Sequence, residues 1–136
     1  MSGGAVRPRL LIIDDEPMLL RAYQRSLATW YDIEVVASGA AALDLLARDD
    51  RWDAILCDLM MPEIDGVAVH EWVRAECGAL SERMLFSTGG AFTPRTIAFT
   101  EQLGDRVVQK PVQLNDLRAA IERVRLTGHP APDGPA

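Results

Sequence analysis

Lysine is nearly missing from this chain of 136 residues. Of fourteen basic residues thirteen are Arg, and the single Lys is Lys110. A planar guanidinium serves everywhere else, so the lone ammonium is either a chance survivor or the mark of a place that needs a compact point charge. Cysteine is almost as scarce. Cys57 and Cys77 share no metal-type spacing and form no plausible disulfide framework, which points to a reducing, cytoplasmic compartment. Histidine occurs twice, as His70 on a helix and His129 near the end, with no partners for metal binding or acid–base work, so both are expected to be solvated. Aromatic residues are 6% of the chain, and Trp30, Trp52 and Trp72 are spaced as packing residues rather than as a platform for bases. Positive charge is outnumbered, giving a net charge of −6, which disfavours nucleic acid and anionic membrane as partners. No apolar run approaches the ~20 residues of a membrane span, and the first residues lack the apolar stretch of a signal peptide.

What remains is ordinary globular composition, 49% hydrophobic and 25% charged, at a length that suits one domain. Residues 1–8 read as a flexible lead-in. Residues 128–136, with three Pro and two Gly, read as a disordered tail, leaving 9–127 for the domain. Within it short apolar runs alternate with segments of helical period. The runs are Leu10–Ile13, Ile33–Ala37, Ala54–Cys57, Met84–Phe86 and Val107–Val108; several lack polar alternation, as strands covered on both faces do. Pro17 suits the first position of a helix carrying Leu19, Leu20, Tyr23 and Leu27. Ser38 is a natural N-cap for Gly39–Arg48, and Thr93 for Pro94–Leu103. Gly66–Glu76 carries Val69, Trp72 and Val73. Gln113–Leu126 presents Leu114, Leu117, Ile121 and Val124 on one face. Five strand–helix units in this order predict an α/β fold, a parallel sheet with helices on both faces.

Such sheets bind ligands beyond the carboxyl ends of their strands. The first strand ends in Asp14-Asp15-Glu16, the third in Asp58, the fourth in Ser87-Thr88 before Gly89-Gly90, and the fifth in Lys110-Pro111. Four strands thus deliver carboxylates, a hydroxyl and the only lysine to one edge. Asp14, Asp15 and Asp58 together would carry about −3, which Lys110 offsets by one and a divalent cation by the rest. All-oxygen ligation points to Mg²⁺, with Mn²⁺ as the other possibility, rather than to zinc. A phosphoryl group at this edge would meet the cation, the Lys110 ammonium and the Thr88 hydroxyl, and the Asp58 carboxylate can form an acyl phosphate.

These residues resemble a known family. Ile12-Ile13-Asp14-Asp15-Glu16-Pro17, Asp58-Leu59-Met60-Met61-Pro62 with Asp65-Gly66, Ser87-Thr88-Gly89 and Lys110-Pro111 are similar to the motifs of receiver domains of two-component response regulators, and the match spans residues 9–126. The resemblance implies a flavodoxin-like (βα)5 fold of strand order 2-1-3-4-5. It implies Asp58 as phospho-acceptor, Asp15 as direct Mg²⁺ ligand, Asp14 acting largely through water, and the Met60 backbone carbonyl as a further ligand. Thr88 would be the switch hydroxyl and Lys110 the phosphate-pairing lysine, before a cis Lys110–Pro111 bond. The implied partner is a sensor or hybrid histidine kinase, or a histidine phosphotransfer protein, with the domain itself a monomer or weak dimer. Thr88–Pro94 most resembles receivers that work with hybrid kinases. The module would catalyse only its own phosphorylation and dephosphorylation. Because the sequence ends soon after residue 127, its output is expected to be a protein contact or a relay.

One position departs from the pattern. Three residues before the lysine, where many receivers carry Tyr or Phe, stands Val107, so the usual ring rotation is not expected here. Phe92 and Phe99 lie in or near the fourth of the long helices. Two other functions compete. A haloacid dehalogenase-type phosphohydrolase also uses a strand-end Asp, a Lys and Mg²⁺, but it wants a second Asp where Met60 stands. A degenerate receiver would bind partners without being phosphorylated, against which the intact Asp14, Asp15, Asp58, Thr88 and Lys110 set argues. Cys57 reads as a small core hydrophobe facing away from the acceptor.

Overall fold

The computed structural model describes residues 6–90 and 93–127. The expectations for the tail, for His129 and for Phe92 fall outside them. Five strands, β1 (Arg9–Ile13), β2 (Asp32–Val36), β3 (Ala54–Asp58), β4 (Met84–Thr88) and β5 (Val107–Gln109), form one parallel sheet in the order β2-β1-β3-β4-β5. The helices are α1 (Pro17–Leu27), α2 (Gly39–Arg48), α3 (Gly66–Glu76), the single turn α4 (Gly78–Ser81), α5 (Pro94–Leu103) and α6 (Leu114–Arg125), with a 3-10 turn at Gly104–Arg106. The two short turns are additions to the sequence pattern, too brief to carry a period of their own.

Each strand sorts its residues between two cores. Leu10, Ile12, Ala54, Leu56 and Leu85 pack under α1 and α6 with Leu20, Tyr23, Leu27, Leu117, Ala120, Ile121 and Val124. Leu11, Ile13, Ile55, Cys57, Met84 and Phe86 pack under α2, α3 and α5 with Ala42, Leu45, Leu46, Val69, Val73, Phe99 and Leu103. Continuous apolar runs follow from this arrangement, because neither face of the central strands meets water. The sheet edge is different: β2 is only partly buried.

Local signals fix the helix starts. Ser38 Oγ accepts from the Ala41 N–H at 3.0 Å, and Asp65 Oδ1 accepts from the Ala68 N–H at 2.9 Å. Thr93 and Thr96 form a reciprocal capping box ahead of α5, and Pro17 and Pro94 open their helices. Two expectations are corrected. Leu114 is 39% exposed, at the first position of α6, while Leu117 below it is buried. His70 is buried, not solvated; its ring sits edge-on between Phe86 and Phe99, with centroids at 5.6 and 5.2 Å. Among the described residues no helix is long and apolar enough to cross a membrane.

Candidate functional site

The carboxyl ends of β1, β3, β4 and β5 converge. Asp14 follows β1 and is held to the neighbouring strand by its N–H, which donates to the Val36 carbonyl at 3.2 Å. Asp58 closes β3 opposite Ser87 of β4. The Lys110 N–H donates to the Thr88 carbonyl at 2.8 Å, tying the end of β5 to the end of β4. The Lys110–Pro111 peptide bond is cis.

These backbone ties bring the side chains together. Lys110 Nζ lies 3.1 Å from Asp14 Oδ2, 3.3 Å from Asp58 Oδ1 and 3.5 Å from Glu16 Oε1. Asp14, Asp15 and Asp58 offer oxygens that all lie within 4.8 Å of one another. Asp14 and Asp58 are buried, while Asp15 stands further out. Asp14 Oδ1 accepts from the Glu16 N–H at 3.0 Å, whereas Oδ2 is buried with no well-directed hydrogen bond, although the Lys110 ammonium is near. Among the described residues no hydrogen bond reaches the Met60 carbonyl, two positions past Asp58. Thr88 is buried, and its Oγ1 accepts from the Gly90 N–H at 2.9 Å.

The charges are crowded. Burial first, and then the Asp14 charge, raise the pKa of Asp58 to about 6 against the pull of Lys110. Burial alone would lower the pKa of the Lys110 ammonium, but the Asp14 and Asp58 carboxylates beside it outweigh burial and raise it. One cation among three carboxylates leaves the cup under-neutralised, so the donor set fits a hard divalent ion.

Sequence reasoning expected Asp14, Asp15, Asp58 and Lys110 at one edge, and the structure brings their side chains together. It overlooked Glu16 as a third carboxylate on Lys110; the run Asp14-Asp15-Glu16 carried that signal. It also missed Arg95, which lies 30 residues from its partner Asp65. Arg95 Nη1 donates to both oxygens of Asp65 at 2.9 and 3.2 Å, and Nη2 to Glu71 Oε1 at 3.3 Å.

A doubly wound α/β protein with an acidic cup and one lysine at its carboxyl edge has its polar groups where open parallel sheets bind ligands. Residues 10–122 match the model of the response regulator receiver domain, and the chain belongs to that family, the receiver modules of two-component signalling. It is 31% identical over 131 residues to the response regulator MprA of Mycobacterium sp. strain KMS, covering 94% of this chain and 56% of that protein. The MprA of Mycolicibacterium vanbaalenii is 33% identical over 114 residues, 83% of this chain and 48% of that one. The chain therefore spans about half the length of these curated relatives. Among solved structures, a response regulator receiver domain from Clostridium thermocellum superposes with a TM-score of 0.77 at 20% identity, covering 88% of this chain and 94% of that one. The receiver domain of a signal transduction histidine kinase from Syntrophus aciditrophicus gives 0.71 at 25%, covering 88% and 90%. Both carry the expected fold.

Proposed function

We propose that residues 9–127 form a phospho-acceptor switch in which Asp58 takes a phosphoryl group from the phosphohistidine of a sensor or hybrid histidine kinase. The observation that carries this reading is Lys110 reaching Asp14 and Asp58 at once, beside three carboxylates whose oxygens lie within 4.8 Å. An oxygen of Asp58 bonds to phosphorus, the P–N bond to the donor imidazole breaks, and the imidazole leaves with the electron pair and takes up a proton. Lys110, freed from Asp58, pairs with a phosphoryl oxygen, and the Thr88 hydroxyl donates to another. Asp14, Asp15, Asp58 and the Met60 carbonyl would hold Mg²⁺, which when bound neutralises the oxygen charge that accumulates there.

The switch has no ring to rotate at Val107, which is half-buried opposite Phe86 in the β4–β5 ladder. The test is incubation with Mg²⁺ and acetyl phosphate, read by intact mass. The wild type gains one phosphoryl group, Asp58→Asn gains none, and Lys110→Ala is labelled but loses the conformational response. An unlabelled wild type, or a normally labelled Asp58→Asn, overturns the reading.

A further inference from the structure

The Arg95 contacts join the two segments that flank the acceptor. One is the loop 59–65, which leaves β3 directly after Asp58 and is closed by the Gly66 N–H donating to the Leu59 carbonyl at 2.9 Å. Asp65 ends this loop, and its Oδ1 both caps α3 and accepts from Arg95. The other segment runs from Thr88 to α5. Arg95 is the second residue of α5, and the Thr93–Thr96 capping box makes that first turn one unit with it. Beneath the ion pairs, Phe99 of α5 packs edge-on against Phe86 of β4 and His70 of α3, with centroids at 4.9 and 5.2 Å. Movement of the start of α5 away from α3 would have to break the Arg95 contacts to Asp65 and Glu71.

Thr88 supplies the reason for such a movement. Its hydroxyl is engaged with its own loop through the Gly90 N–H, and among the described residues it makes no hydrogen bond to Asp58. Gly90 has φ of 151°, a conformation that glycine adopts at no steric cost. Carrying the Thr88 hydroxyl to a phosphoryl group on Asp58 would break its bond to the Gly90 N–H, five residues before Arg95. We infer that Arg95, clasped by Asp65 and Glu71, is an autoinhibitory latch that holds α5 in the unphosphorylated position and so restrains phosphorylation of Asp58. The inference rests on the acceptor reading above and adds a control to it.

The latch is weak by construction. The Arg95 side chain is 49% exposed and Glu71 65%, so the pairs are screened by salt and worth a few-fold in an equilibrium rather than orders of magnitude. Coupling is reciprocal: what opposes the phosphorylated conformation is opposed by phosphorylation.

The test compares labelling rates of the full chain with Mg²⁺ and acetyl phosphate, followed by intact mass. Arg95→Ala is expected to be labelled about two- to fivefold faster than the wild type, with Arg95→Lys between them. At 1 M NaCl, where the Debye length falls to about 3 Å, the ratio of variant to wild type shrinks toward one. A residue that merely stabilised α5 would give slower or incomplete labelling on removal, not faster. If the wild type is labelled and Arg95→Ala is no faster, the latch is overturned while the acceptor reading stands. If the wild type takes no label, the acceptor reading falls and the latch falls with it.

Discussion

Asp58 and His70 are two titratable side chains that the fold buries, and burial moves them in opposite directions. For His70 burial lowers the pKa to about 4, reinforced by the Arg106 and Arg74 charges against Glu71. Its stabilising contribution is complete above the unfolded value near 6.5 and is lost as pH falls through 4. For Asp58 the pKa rises from 3.8 to about 6, so its contribution is complete below 3.8 and is lost as pH rises through 6. Each shift is roughly two units, on the order of 3 kcal/mol, and the windows nearly coincide. In the metal-free wild type the two terms therefore oppose each other between about pH 4 and 6.5, and its stability should change less across that window than in a variant lacking either group. Asp58→Asn unmasks His70 and should lose stability as pH falls across that window. His70→Phe unmasks Asp58 and should gain stability over the same fall. Urea denaturation in the presence of a chelator measures all three; parallel slopes in the two variants would contradict the assignment. His70 was misread as solvated because its residue type outweighed its position. Gly66, His70 and Val73 lie at i, i+4 and i+7, the spacing of the buried stripe, so the signal was present.

The helices were the most legible elements, since their caps are local chemistry: Ser38, Thr93, Pro17 and Pro94 open helices where the sequence put them. Strand ends were legible too. β3 closes on Asp58 and β4 on Thr88, past the last apolar residue, because the ladder continues into the polar edge, while β5 stops at Gln109, one residue short of Lys110. Nothing in the pattern revealed how closely α3 approaches β3. A Cβ on Gly66 would lie 2.7 Å from the Asp58 carbonyl oxygen and 2.8 Å from Leu59 Cα, and both are backbone that cannot step aside cheaply. Gly66→Ala should therefore cost about 1–3 kcal/mol and slow labelling of Asp58, by pushing α3 off the loop behind the acceptor. Gly89→Ala, with nothing within 4 Å of the new Cβ, should stay within about 0.5 kcal/mol of the wild type. Thermal denaturation of the pair separates a close approach from a general intolerance of side chains near the site.

At the scale of the whole molecule the order β2-β1-β3-β4-β5 decides what meets what. It sets β1 beside β3 and β3 beside β4, so residues 44 and 52 positions apart, Asp14 with Asp58 and Asp58 with Lys110, become neighbours. The sequence supplied the residues at each strand end, and the resemblance supplied the order; a contact such as Arg95 with Asp65 depends on helix packing and was not legible from either. A divalent cation held in this cup would stabilise the entire domain, since only the folded chain brings the three carboxylates together. A ligand that binds the folded state alone stabilises by about 2.7 kcal/mol at a hundred times its dissociation constant, several degrees for a domain this size. Mg²⁺ should therefore raise the melting temperature of the wild type above that in chelator. Asp15→Asn should abolish most of the increment at small cost to the metal-free protein, because Asp15 is the outermost of the three. Lys110→Ala should do the reverse. It removes the one cation that now offsets Asp14 and Asp58, so the metal-free protein is weakened and the Mg²⁺ increment grows. Equal increments in the wild type and both variants would mean that the ion acts elsewhere on the acidic surface and that the cup is not its site.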